Sequence, residues 1–181
     1  RDPRLDFTVT HNLSMIYVAY DQLRPVYTYD GEPNGDGFGA GTPTGYYGNK
    51  MCNDNVIPNY FFNVSQRCYP LIRYADILLM YAEAMNEYAG PSQEVYDAVE
   101  AIRQRAGLGP YQLKQGLAKD EMRKVIQHER QVELAFEESR FWDVRRWKIA
   151  GETDNQTMYG MRVQKDANGN YSYSKETVRK H

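Results

Sequence analysis

His128-Glu129 opens like a zinc-protease helix, in which two histidines four residues apart hold the metal and the intervening glutamate activates water. Val132 occupies the second ligand position, and the chain's three histidines form no replacement cluster, so zinc chemistry is not expected. Gly35, Gly37 and Ala40 loosely match a dinucleotide fingerprint. Pro43 follows where the phosphate-binding helix would start, and no buried strand precedes the run, which reads as a solvated loop. Asp166, Asn168 and Asn170 have the alternating oxygen spacing of a calcium loop. Tyr171 stands where that loop needs glycine and Thr177 where it needs glutamate, so a turn is expected. No cofactor and no metal follow from these residues.

Glu129, Glu133, Glu137 and Glu138 supply carboxylates of the kind that work in pairs in glycoside hydrolysis. Residues four apart on a helix are also how ion pairs arise, and Arg130, Arg140, Arg145 and Arg146 lie nearby. Glu129 and Glu133 fall toward the apolar side of their predicted helix, where an unpaired charge is costly. They are therefore expected to tie to arginines such as Arg73 or Arg103. Arg145-Arg146 beside Trp142 and Trp147 has the makings of a base-stacking surface. However, 22 basic against 24 acidic residues leave a net charge of -2, and helical spacing favours a packed amphipathic helix, so no nucleic-acid partner is expected. Cys52 and Cys68 are the two cysteines. A bridge between them would close a loop of about 17 residues and stabilise by roughly 3 kcal/mol, and two separate buried thiols fit the sequence as well.

These residues need elements to position them. With 181 residues and 41% hydrophobic content, the chain can bury a core, and no run approaches the length of a membrane-spanning helix. Residues 1–29 alternate in short Thr-, Val- and Tyr-rich runs and read as extended chain or short strands. Residues 30–48 are too rich in Gly, Pro, Asn and Asp for a helix or long strand and read as a long loop. Residues 49–69 stay irregular, with asparagines interleaved with aromatics. From Leu71 to Tyr88 the pattern turns helical: Arg73, Asp76, Glu83 and Glu87 share one stripe broken only by Met80, and apolar residues fill the rest, so burial on most sides is expected. Gly90-Pro91 ends this helix, and Ser92 offers an N-cap for a second, with Val95, Ala98, Val99, Ile102 and Ala106 on its apolar face. Asp120 is placed to cap a long helix reaching Phe136, and a further helical stretch runs through Phe141 to a stop at Gly151. Asn168-Gly169 signals a terminal β-hairpin.

The fold class expected is mainly α: one clear copy of the tetratricopeptide-like helix pairs, from about Pro70 to Gly107, with long irregular loops and a small terminal β-hairpin. It divides into an extended and loop region (1–69), a helical scaffold (70–151) and a closing loop and hairpin (152–181). The 16 tyrosines, many in loop-like stretches, suggest a ligand-contacting surface.

The segment Tyr69-Pro70-Leu71-Ile72-Arg73-Tyr74-Ala75-Asp76-Ile77-Leu78-Leu79-Met80-Tyr81-Ala82-Glu83-Ala84, followed by Ile102-Arg103-Gln104-Arg105-Ala106-Gly107-Leu108, resembles the SusD/RagB family of outer-membrane nutrient-binding lipoproteins. The run His128-Glu129-Arg130-Gln131-Val132-Glu133-Leu134-Ala135-Phe136-Glu137, continuing through Arg140-Phe141-Trp142-Asp143-Val144-Arg145-Arg146-Trp147, is similar to the family's next signature. Asp2-Pro3-Arg4-Leu5 is similar to a segment that precedes both. The resemblance implies a non-catalytic, surface-exposed lipoprotein of the outer membrane. Such a protein captures starch or another polysaccharide or oligosaccharide and passes it to a TonB-dependent transporter of the SusC type. It also implies that this chain is a C-terminal segment of a longer protein, whose N-terminal lipid anchor would be its only membrane attachment. The absent initiator Met points the same way.

The matched motifs are scaffold residues and transfer no binding residue. Sugar rings present apolar faces to aromatics, and hydroxyls to planar amides and guanidinium groups. Tyr46, Tyr47, Asn53, Asn55, Tyr60 and Arg67 are therefore the ligand-binding candidates. Two other functions compete: a tetratricopeptide-type scaffold for protein–protein interaction, and a glycosidase using the helical glutamates. The long Tyr/Asn/Gly insertion before the helices favours glycan binding over a peptide-binding array.

Overall fold

A computed structural model describes residues 1–19, 22–52 and 70–179. In chain order its elements are α1 (Arg4–Thr8), β1 (Val9–Thr10), β2 (Met15–Ala19), β3 (Gln22–Pro25) and β4 (Tyr47–Gly48), then α2 (Tyr74–Ala89), α3 (Gln93–Arg105), α4 (Lys119–Glu133), α5 (Ser139–Arg146), α6 (Ala150–Thr153), β5 (Met158–Lys165) and β6 (Tyr171–Arg179). They form two compact units that interleave in sequence: Arg1–Leu5 with Tyr69–Trp147, and Asp6–Cys68 with Lys148–His181. Among the described residues no helix is long and apolar enough to cross a membrane.

The first unit is helical. Ala75 and Ala82 on α2 are small enough for α3 and α4 to approach closely, and Leu79, Val95, Val99, Ile102, Met122 and Ile126 fill the space between them. The segment between α3 and α4 is tied down by polar groups: the Leu117 N–H donates to Tyr96 Oη at 3.0 Å, and Arg103 Nε donates to the Tyr111 carbonyl at 2.7 Å. Ala118, not Asp120, is the N-cap of α4, and its N–H donates to the Glu121 carboxylate at 2.8 Å. Asp120 sits in the first turn, where its charge suits the helix dipole.

Helix α4 also stops earlier than its periodicity predicts. Phe136 and Glu138 take left-handed conformations (φ 60° and 64°), and this break lets Glu137 reach Arg73 at 2.7 Å. Gly151 is inside α6 and is not a stop; the interruption comes at Lys148, with φ 59°.

The charged stripe of α2 is an internal seam. Arg73 meets Glu133 and Glu137, Asp76 meets Arg130 at 2.9 Å, Glu83 meets Arg146 and Trp147 Nε1, and Glu87 meets Arg123. The outward side carries Tyr74, Ile77, Tyr81 and Tyr88, with Tyr74 75% and Tyr88 87% exposed, so the burial expected on most sides of this helix is not found. Among the described residues, only α3 and α4 pack against α2 extensively, and together they cover one side.

Below the seam, Glu129 and Glu133 are buried and engaged by arginines, as their positions require. Arg4 Nη1 reaches Glu129 at 2.6 Å and Glu133 at 3.0 Å; Arg103 joins at Glu129, and Arg73 and Arg105 join at Glu133. Arg4 is itself oriented by Asp2, whose carboxyl is held below the usual carboxylate range by hydrogen bonds from the guanidinium. A lowered folded-state pKa contributes stability above the unfolded value of 3.8, and that stability is lost as pH falls through the lowered value. Asp2→Asn should therefore lower the urea midpoint slightly at pH 7, by less than about 1 kcal/mol. The deficit should shrink as pH falls below 3.8; an equal loss at every pH would refute the tie.

The second unit is built from short antiparallel pairs. Strand β1 pairs with β4, β2 with β3, and β5 with β6, the last closed at the expected Asn168-Gly169 turn. Arg4–Thr8, expected to be extended, is instead one helical turn. After β3 the chain stays extended, and Val26 and Thr28 are buried while Tyr27 and Tyr29 point outward, the period of two expected of extended backbone.

Candidate functional site

The glycine-rich stretch after Tyr29 is an ordered loop that carries Tyr46. Its glycines leave no apolar face to bury, so polar contacts and backbone approach hold it. Glu32 accepts from the N–H groups of Asn34 and Gly37 at 2.7 and 3.0 Å, and Asp36 takes Arg24 at 2.7 Å. The Thr42 hydroxyl donates to the Tyr46 carbonyl at 2.8 Å. The loop then docks on β5, where the Met161 N–H donates to the Thr44 carbonyl at 2.8 Å. At Gly45 (φ 76°) a Cβ would lie 2.1 Å from the Met161 carbonyl oxygen, so only glycine permits this approach.

Tyr46 and Tyr47 are neighbours with opposite duties. The Tyr47 ring is half-buried, and its hydroxyl donates to the Asp36 carbonyl at 3.0 Å, closing the loop on itself. Burial and then the charges of Asp36 and Glu32 raise its pKa, so it stays a donor at neutral pH. Tyr46 presents an open ring, 37% exposed. Asn53, Asn55, Tyr60 and Arg67 lie outside the described residues. Cys52 is an exposed free thiol, and its proposed partner Cys68 is likewise outside them.

The other chemistry suggested by the sequence is absorbed into structure. Glu129 of the zinc-like motif is locked by Arg4 and Arg103, and the described residues contain no cluster of metal-ligating side chains. Asp166 accepts from the Asn168 and Asn170 N–H groups at 2.9 and 2.8 Å, spending its carboxylate on the hairpin turn. Arg146 is held by Glu83 and Asp143, and the Arg145 guanidinium lies 3.5 Å from the Phe141 ring centroid.

A second aromatic group was not foreseen. Tyr27 and Tyr29 pack at 5.6 Å between ring centroids, and Tyr29 and Tyr171 at 5.9 Å, with Lys165 beside all three rings. The available signal was the alternation of Tyr27 and Tyr29; the meeting with Tyr171 required the tertiary fold.

Against this geometry the SusD family model matches residues 1–181. The chain belongs to the SusD family. A SusD-like protein of Bacteroides fragilis, solved by crystallography, is 33% identical and superposes with a TM-score of 0.79 over 100% of this chain and 34% of its own. A second, described as a SusD-like carbohydrate binding protein of the same species, is 26% identical, with a TM-score of 0.69 over 99% of this chain and 37% of its own. SusD-like protein P2 of Formosa agariphila is 39% identical over 105 residues, which are 55% of this chain and 21% of that protein. The chain thus spans about one-third of the solved relatives' length. The α2–α3 hairpin is a tetratricopeptide-like pair of the SusD-family fold, and the mainly α class read from periodicity holds.

Proposed function

We propose that this protein binds a glycan at the cell surface without cleaving it and hands it to a TonB-dependent transporter of the SusC type. An N-terminal lipid anchor would hold it to the outer membrane. SusD-family membership over residues 1–181 carries this reading, and the carbohydrate-binding description of one solved relative supports it. Three of the glutamates that a glycosidase would use, Glu129, Glu133 and Glu137, are held by guanidinium groups inside the helical unit, which favours binding over hydrolysis.

Tyr46 is the contact that the geometry favours, because its ring is open while Tyr47 is committed to its own loop. Asn53, Asn55, Tyr60 and Arg67 complete the proposed site. Tyr46→Ala should weaken oligosaccharide binding about tenfold in calorimetric titration and leave the melting temperature within a degree or two. Unchanged affinity across a panel of glycans would remove Tyr46 from the site. The delivery step is tested by affinity purification from the native membrane, and failure to recover a TonB-dependent transporter would sink it.

A further inference from the structure

The unforeseen tyrosine group is built by two segments of the second unit. Tyr29 bridges to Val163 of β5, and the Asp30 N–H donates to the Val163 carbonyl at 2.9 Å, fixing the extended segment against the hairpin. Lys165 and Tyr171 are directly paired across β5 and β6, so their side chains rise on one side of the hairpin. The Lys165 ammonium then lies 5.2 Å from the Tyr29 ring centroid, 5.8 Å from Tyr171 and 6.0 Å from Tyr27.

The charges around this ammonium are already committed elsewhere. The Asp166 carboxylate turns into the hairpin turn, where Asn168 and Asn170 occupy it. Asp30, next to Tyr29 in the chain, is taken by Arg162 at 2.7 Å. Among the described residues no carboxylate pairs with Lys165, and no protein group hydrogen-bonds the hydroxyls of Tyr27, Tyr29 or Tyr171. The rings are half-buried and held in place by their neighbours, while Lys165 is exposed.

We propose that Tyr27, Tyr29, Tyr171 and Lys165 form a subsite for a sugar unit bearing an anionic group. The inference rests on the glycan-binding reading above and narrows its substrate class. A pyranose CH face lies on a tyrosine ring, the phenol hydroxyls meet sugar hydroxyls, and a carboxylate or sulfate ester pairs with the ammonium. Cation–π contact with three rings keeps the ammonium over the platform without neutralising it.

The test titrates the full-length protein with three oligosaccharides of equal length: neutral, uronate-containing and sulfated. An anionic probe should bind more tightly than the neutral one, with affinity that falls as salt rises. Lys165→Gln should weaken the anionic probe about tenfold and flatten its salt dependence, while weakening the neutral probe far less. Tyr29→Ala should weaken both. Whichever anionic probe is preferred identifies the group as carboxylate or sulfate. Neutral binding with no anionic preference, or anionic affinity indifferent to Lys165→Gln, overturns the subsite alone. Absence of binding by every glycan overturns the reading on which it rests as well. Lys165 is exposed, and unchanged far-ultraviolet circular dichroism of the variant checks its folding.

Discussion

Glu133→Gln should lower the melting temperature by about 10 °C, with the helical circular dichroism signal lost in one transition at the lower temperature. The Glu133 side chain is 3% exposed and accepts from Arg4 at 3.0 Å, Arg73 at 3.0 Å and Arg105 at 2.6 Å. Glutamine keeps the volume, removes the charge and turns an amide donor toward guanidinium donors. Breaking one side of a buried ion pair costs about 3–5 kcal/mol. The lower end applies here, because the guanidiniums keep other outlets: Arg73 retains Glu137, Arg4 retains Asp2 and Glu129, and Arg105 is largely exposed. About 3 kcal/mol in a domain of this size corresponds to roughly 6–12 °C. An unchanged melting temperature would mean that the buried glutamates are not structural ties and would reopen a catalytic role for them.

Gly45→Ala should release the loop that carries Tyr46 while leaving the helical unit folded. Two penalties combine at this position. The backbone is left-handed at φ 76°, which costs a non-glycine residue about 1–2 kcal/mol. The added methyl would also lie 2.1 Å from the Met161 carbonyl oxygen, a backbone atom that moves only if β5 moves. Relief requires the Thr44 carbonyl to leave the Met161 N–H, which frees the loop. Limited proteolysis within residues 30–48 should accelerate at least tenfold, and oligosaccharide affinity should fall with it, because an undocked Tyr46 must be ordered again on binding. Gly31→Ala supplies the control: its φ is 78° with nothing within 4 Å, so it carries the conformational penalty without the clash. Equal proteolysis rates for the two variants would show that docking on β5 does not hold the loop.

Much of the helical unit was legible in the sequence because its signals are local. The α2–α3 hairpin followed from apolar spacing and the Gly90-Pro91 break, and the terminal hairpin from Asn168-Gly169. Family signatures in order along the chain pointed to the fold that the family match establishes. Element boundaries were less legible. No glycine marks the end of α4, since Phe136 and Glu138 adopt positive φ to serve a distant partner of Glu137. In the site, the openness of Tyr46 and the commitment of Tyr47 could not be separated, because two adjacent tyrosines differ only in what their rings meet.

Glu129 and Glu133 show where the boundary lies. Helical periodicity by itself determined that both carboxylates face the core, and the cost of burying a lone charge determined that arginines must meet them. Arg73 and Arg103 do so, but Arg4, more than a hundred residues away in sequence, is the bridge between the two carboxylates, and only the tertiary structure could select it. The same holds for α2. Its sequence determined that Arg73, Asp76, Glu83 and Glu87 form one stripe. Whether that stripe faces water or a neighbour was decided by the complementary Arg123, Arg130, Arg146 and Glu137 on the other side of the seam. Periodicity records which residues share a face, and the partner's charges determine what that face meets.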